Sequence, residues 1–313
     1  MNWVKGEAGY RLGALLLCGV LIAGYILWVA TPPRRGNRRG AEKAVQEAKE
    51  LVAKAEFDAA IPKLDKAIHL DRSYGYAYFI RGGAHWVKRD YDQALRDLNT
   101  AIEIDGFDPD SSFLRGRILQ DMKKYELAIK DFDMAVGSGL NDPMLFLCRG
   151  RAFLESKQFD KAIEDFIWAL GRARKTEPRA WQAEPLYSCG RAYHAKKEYK
   201  KAIEYFDDAI HSDPKHVDAR NYKAWLLAVC PDKAVRDGKL AVRLATEACE
   251  LVGWKDGFGL NTLATAYAEL GDFEKAVEWE QKALENKEYA AEHGGEARKR
   301  LELYKAKTPY REE

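Results

Sequence analysis

A twelve-residue pattern recurs along this chain and constrains the fold more than any other feature. It reads aromatic-x-x-Ala-[Ile/Leu]-x-x-[Leu/Phe]-x-x-Ala-[Ile/Val/Leu]. It starts at Phe57, Tyr91, Tyr125 and Phe159, 34 residues apart each time, and returns at Tyr199, at Gly238 in weaker form and at Phe273. Offsets of 0, 3, 4, 7, 10 and 11 place these residues on one face of a helix. A second helical stretch precedes each copy, with a small residue at its eighth place: Ala48, Gly82, Gly116, Gly150, Gly190, Ala224 and Ala264. Asp108-Pro109 and Asp142-Pro143 read as an N-cap followed by an N1 proline, so helices start there. The small residues let paired helices approach closely, and the aromatic residue fills the wedge at the turn. One such pair cannot bury its apolar face alone, so neighbours must stack into a solenoid.

Seven in-register copies resemble the tetratricopeptide repeat (TPR) family over residues 41–286. The resemblance implies an all-α superhelical solenoid of helix-turn-helix units whose first helices line a concave groove, and binding of peptides or helices of other proteins there. The repeats are expected near 41–74, 75–108, 109–142, 143–182, 183–216, 217–256 and 257–289, making a solenoid over 41–288. The stretch Trp225–Asp232, with Arg236-Asp237-Gly238-Lys239 and Gly253-Trp254-Lys255-Asp256, is similar to the terminal module of bacterial multi-repeat proteins. Residues 290–313 are expected to supply a capping helix over 290–306 and a tail, with Arg298, Lys299, Arg300, Glu302 and Lys305 forming the polar outer face of the cap.

Ahead of the repeats, Leu12 to Ala30 is 19 residues without a charge. As a helix at 1.5 Å per residue it spans roughly 28 Å, the thickness of a bilayer core. Trp28 stands where a signal-peptide cleavage site needs a small residue. The expectation is a tail over 1–11, an uncleaved transmembrane helix over 12–30 contacting lipid, and a basic Pro/Gly linker over 31–40. Lys5 and Arg11 precede the span while Arg34, Arg35, Arg38 and Arg39 follow it, which favours a single-pass protein with a cytoplasmic repeat domain. A long domain can translocate regardless of its flanks, so an outward-facing envelope-assembly factor is the alternative.

Self-alignment separates structural from available polar residues. Arg81, Arg115 and Arg149 hold the seventh place of three repeats, and Asp97, Asp131 and Asp165 the twenty-third. In the fifth repeat both change together, to Cys189 and Tyr205, which points to Arg–Asp pairing within or between repeats. At the ninth place, Arg117, Arg151 and Arg191 recur four residues after Phe113, Leu147 and Tyr187. The resemblance places these six residues toward the groove, as candidate partner contacts suited to an acidic peptide with hydrophobic anchors. Asp121 and Glu155, four residues after Arg117 and Arg151, are candidates to neutralise them. The insert Gly171–Gln182 is a candidate second contact loop. The Lys/Asn/Asn/Lys/Arg clamp by which some family members hold chaperone tails has no counterpart. The equivalent places carry Val45, Lys49, Ile80, Asp110 and Leu114, or Phe113, Arg117, Cys148, Glu184 and Ser188.

At 47% hydrophobic and 12% aromatic residues, the chain is not disordered. Its net charge of +2 is uneven: six basic residues against Glu7 give residues 1–40 a charge of +5, leaving −3 on the remainder. A domain at −3 is not built to neutralise phosphates, so no nucleic-acid partner is expected. Cys18, Cys148, Cys189, Cys230 and Cys249 form no C-x-x-C pair and read as apolar fillers. The six histidines are scattered, and neither a phosphate-binding loop nor a nucleophile motif occurs. The expectation is therefore a non-enzymatic membrane-anchored adaptor with no cofactor, metal or catalytic residue; an enzyme with an unrecognised site is the remote alternative.

Overall fold

The structure is a computed structural model and describes residues 37–106, 108–176 and 179–312. Among these residues it contains fifteen α-helices, one short 3-10 turn and no strand. The tail expected at 1–11, the transmembrane helix at 12–30 and most of the linker at 31–40 lie outside the described residues, as does Cys18. No described helix is long and apolar enough to cross a membrane. The chain divides into two compact units, one ending at Asn141 and one beginning at Asp142.

The first unit holds α1 (Arg38–Ala53), α2 (Phe57–Leu70), α3 (Gly75–Val87), α4 (Tyr91–Asp105), α5 (Pro109–Asp121) and α6 (Tyr125–Gly137), paired as three hairpins. Helix α1 starts earlier than the repeat pattern suggests. Arg38, Arg39 and Gly40, read as linker, are its first turn, because Asn37 caps it by accepting the Gly40 amide at 3.0 Å. Arg38 then pairs with the buried Asp71 at 3.2 Å, its guanidinium 3.5 Å from the Tyr74 ring centroid. The expected close approach of paired helices is present. A Cβ on Gly116 would stand 2.6 Å from the Phe132 ring, and one on Gly82 3.0 Å from Leu98. Ala94, Leu98, Ala101, Ala128, Phe132 and Ala135 are all fully buried at these seams.

The expected Arg–Asp pairs lie within each hairpin. Arg81 grips Asp97 with Nε at 2.8 Å and Nη2 at 2.6 Å, and Arg115 grips Asp131 with both at 2.7 Å. Each arginine also reaches the preceding hairpin: Arg81 Nη1 donates to Asp65 at 2.6 Å, and Arg115 Nη1 to Asn99 at 2.7 Å. One side chain thus ties three helices together through its planar fork.

The second unit holds α7 (Pro143–Glu155), α8 (Phe159–Thr176), α9 (Ala183–Ala195), α10 (Tyr199–Ser212), α11 (Val217–Val229), α12 (Gly238–Leu251), α13 (Gly257–Leu270), α14 (Phe273–Glu285) and α15 (Lys287–Lys305). They form four hairpins and a final helix. Arg149 grips Asp165 at 2.8 Å through both Nε and Nη2, and Cβ atoms on Gly150 and Gly190 would strike Phe166 and Phe206 at 2.6 and 2.5 Å. The insert at 171–182 is helical over most of its described length, as the end of α8 and a 3-10 turn over Arg179–Gln182.

The last helix departs from expectation. It runs over Lys287–Lys305 rather than from 290, and Arg300, assigned to its outer face, is 8% exposed. Arg300 donates to Asn261 at 3.0 Å and to the Tyr289 hydroxyl at 2.9 Å, beside the fully buried Glu280. Past α15 the chain turns back over the carboxyl ends of α9, α11 and α13. Tyr310 meets Trp225 with ring centroids 5.9 Å apart, Arg311 pairs with Glu269, and the Glu312 amide donates to the Val229 carbonyl at 3.1 Å. The Glu312 carboxylate lies 2.8 Å from His194 Nε2.

Candidate inner-face polar site

The ninth-place arginines sit on the first helices of three hairpins, Arg117 on α5 of the first unit and Arg151 and Arg191 on α7 and α9 of the second. In the first unit, the Arg117 guanidinium lies 4.6 Å from the Trp86 ring centroid and 5.8 Å from that of Phe113. The Asp121 carboxylate accepts the Trp86 indole N–H at 2.7 Å. Phe113 is half-buried, so both it and Arg117 retain accessible surface.

In the second unit, α7 and α9 bring two arginines and two carboxylates into a crossed arrangement. Arg151 of α7 pairs with Glu184 in the first turn of α9. Arg191 of α9 pairs with Glu155 at the end of α7, at 2.9 Å. The sequence expectation that Glu155 neutralises Arg151 four residues away is therefore corrected: each arginine is paired across helices. The reason is reach, since the ninth residue of α7 meets the first turn of α9 and the ninth residue of α9 meets the last turn of α7.

Glu184 also meets His216 at 3.3 Å. His216 is the N-cap of α11, and its Nδ1 accepts the Ala219 amide at 3.1 Å. The ring proton then resides on Nε2 and is donated to Glu184. Burial works against an ionised Glu184, but Arg151 and His216 outweigh it and draw its carboxyl down to about 2. Asp218, two residues after His216, behaves oppositely. Burial and the nearby Glu184 raise it to about 6, and no described side chain forms an ion pair with it.

Leu147 and Tyr187 are not surface contacts: they are 2% and 0% exposed. Tyr187 packs edge-on against Tyr222 at 5.4 Å and lies 5.2 Å from the His216 ring. They form the floor under the charged layer, while Arg191, with 18% of its side chain exposed, lies 6.0 and 5.7 Å from the Tyr187 and Tyr222 centroids. Glu184, His216, Asp218 and Tyr222 were missed by the sequence reading. No repeated spacing marked them: the insert makes this repeat 40 residues long, and Glu184 lies 33 after Arg151.

The two cross-helix pairs match each arginine of this layer with a carboxylate. Burial pushes the Cys189 and Cys249 thiols up to about 12, so neither supplies a thiolate at neutral pH. Among the described residues, no group of three or more His, Cys, Asp or Glu side chains is placed to hold a metal.

Profiles described as tetratricopeptide repeat match residues 45–109, 84–143, 147–217, 187–229 and 259–289. A search of curated proteins gave no significant match. Among solved structures, the chain is similar to YrrB, described as a TPR protein with an unusual peptide-binding site, at 26% identity and a TM-score of 0.52, over 60% of this chain and 93% of that one. It is also similar to a tetratricopeptide repeat protein from Parabacteroides merdae at 12% identity and a TM-score of 0.60, over 85% of this chain and 99% of that one. The carboxy-terminal part of a repeat protein from Cytophaga hutchinsonii matches at 20% identity and a TM-score of 0.57, over 78% of this chain and 95% of that one.

Proposed function

The chain belongs to the tetratricopeptide repeat family, and from that premise we propose that it is an adaptor, tethered to a membrane through residues 12–30, that holds a protein or peptide partner on the inner face of its first helices. The observation carrying this reading is the crossed Arg151–Glu184 and Arg191–Glu155 layer over a floor of Leu147, Tyr187 and Tyr222. Pre-paired side chains lose little freedom when a ligand arrives, which favours binding. The peptide-binding site of the similar YrrB supports the same reading. Because both arginines already face carboxylates, the layer is not a bare cationic strip; it offers donors and acceptors side by side and suits a mixed polar segment as well as an acidic one. Phe113 and Arg117 would make a separate contact on the first unit.

The test compares partner capture by the full chain with capture by Arg191→Glu and Arg117→Glu variants, after thermal melts establish that each is folded. Arg191→Glu sets two carboxylates against each other, so the bound set should shrink for that variant. Recovery of the same partners in the same yield by both variants overturns the proposed site. Protease accessibility in sealed membranes tests the cytoplasmic placement, which predicts protection of the repeat domain from external protease.

A further inference from the structure

The ninth-place row of the second unit is not open along its whole length. It runs Arg151, Arg191, Trp225, Thr265 through α7, α9, α11 and α13. The first two are available side chains with 32% and 18% exposure. The last two are covered by the chain itself: the Tyr304 hydroxyl of α15 meets Thr265 Oγ1 at 2.9 Å, and Tyr310 covers Trp225. The residues that follow add an arginine on Glu269, a main-chain bond to Val229 and a carboxylate on His194.

In a stacked repeat each hairpin normally touches only its neighbours. Residues 310–312 instead touch three first helices at once, α9, α11 and α13, at sequence separations up to 118. Tyr310 is tilted against Trp225, with Arg300 beside it, and packs on buried residues of α11 and α13; Arg311 pairs with Glu269 and donates to the Ala228 carbonyl, while Glu312 adds its carboxylate at His194 and one main-chain amide. Their side chains stay half-buried, and residues 305–308 leading to them are exposed. A half-buried segment on an exposed leash is easier to displace than a packed helix, because opening it uncovers one ring and a few polar contacts rather than a whole helix face.

We propose that residues 309–312 are a resident occupant of a second peptide-docking surface on α9, α11 and α13, which a partner must displace. The partner that fits presents, in extended form, an aromatic ring, then an arginine, then a carboxylate. Trp225 receives the ring, Glu269 the arginine and His194 the carboxylate, while Val229 accepts a backbone amide. Glu269 is prepared for this, since Arg236 Nε holds its other oxygen at 3.0 Å and fixes its orientation. This rests on the protein-binding reading above and adds to it a regulatory element: affinity for such a partner is reduced by the fraction of time the resident is seated.

The test uses the full chain and a labelled peptide of residues 306–312 as probe. Tyr310→Ser together with Arg311→Ala empties the surface, and the probe should then bind roughly tenfold or more tighter than to the unaltered chain, as expected for an occupant seated about nine-tenths of the time. Adding Glu269→Gln to that variant should weaken the probe again. Equal binding to the unaltered and emptied chains, or no binding to an emptied chain whose helical signal and melt are unchanged, overturns the proposal. Should the emptied variant unfold, hydrogen exchange on the unaltered chain replaces it. Excess unlabelled peptide should speed exchange at the Glu312 amide, and no change in rate overturns the proposal. A partner lost on Arg191→Glu but indifferent to Tyr310 and Arg311 removes this inference and leaves the adaptor reading intact. Exchange of the probe with no cellular partner on either surface overturns the adaptor reading and, with it, the displacing partner.

Discussion

Arg115 shows what one side chain contributes. Its fork closes on the buried Asp131 from within the hairpin and on Asn99 from the preceding one. Removing the arginine strands a buried carboxylate, whereas removing the aspartate leaves the guanidinium one partner and some water. Arg115→Ala should therefore cost about 3 kcal/mol and Asp131→Ala less, with the double variant well short of the sum. Urea denaturation of the four chains checks this, and additivity would contradict it. The fifth repeat replaces the device with apolar contacts, since Ile167, Cys189 and Tyr205 stand at its three places and Tyr205 stacks on Tyr193 at 5.1 Å. That substitution was legible because the copies can be compared. The Glu280–Arg300 pair was not, because it occurs once and joins helices at the irregular end of the array. Burial pushes Glu280 up to about 8, with Arg300 opposing only in part. The folded chain then holds a proton that the unfolded chain, with its carboxyl near 4.5, has released. Stability should consequently fall as pH rises from about 5 to 8, and Glu280→Gln should flatten the fall. Denaturation midpoints that rise over that range would contradict this.

The hairpin is built from close approach and a tight turn, and both make adjacent substitutions behave differently. A Cβ on Gly82 meets Leu98 at 3.0 Å and the Ala94 carbonyl at 3.2 Å, whereas one on Gly83 meets only a Leu114 methyl at 3.7 Å. Gly82→Ala should cost about 1–2 kcal/mol through overpacking, while Gly83→Ala should gain up to about 1 kcal/mol from helix propensity. A similar contrast lies at the turns. Ala55, Arg89, Lys123, Lys157, Lys197 and Gly271 occupy the same place, two residues before each aromatic, and all have positive φ. Only the last hairpin uses glycine there, so Gly271→Ala should lose and Lys157→Gly gain about 1 kcal/mol in thermal melts. Helix starts at Pro109 and Pro143 and the seven hairpins were readable from period and capping. The start of α1 at Arg38 was not, because Asn37 caps a stretch whose arginines also suit a membrane-flanking linker. The burial of Leu147 and Tyr187 was hidden for a related reason: a first helix carries two apolar stripes, and only packing decides which is covered.

At the scale of the molecule, each unit is a set of helical hairpins, and their polar residues divide into ties between helices and residues proposed to meet a partner. Asp97, Asp131 and Asp165 are ties, and Arg151, Glu184, Arg191 and Glu155 of the second unit form the paired layer proposed to meet a partner. The adaptor reading follows from that division, and the proposed membrane tether would confine it to a surface where a partner meets it at high local concentration. The central claim is that partners contact the first-helix face. It is tested by placing a photo-crosslinking residue at Arg191, on that face, or at Glu164, exposed on α8, and irradiating intact cells. The account predicts discrete adducts from position 191 that vanish in a strain lacking the partner, and none from position 164. Adducts from 164 alone, or from neither position in a folded chain, would contradict it.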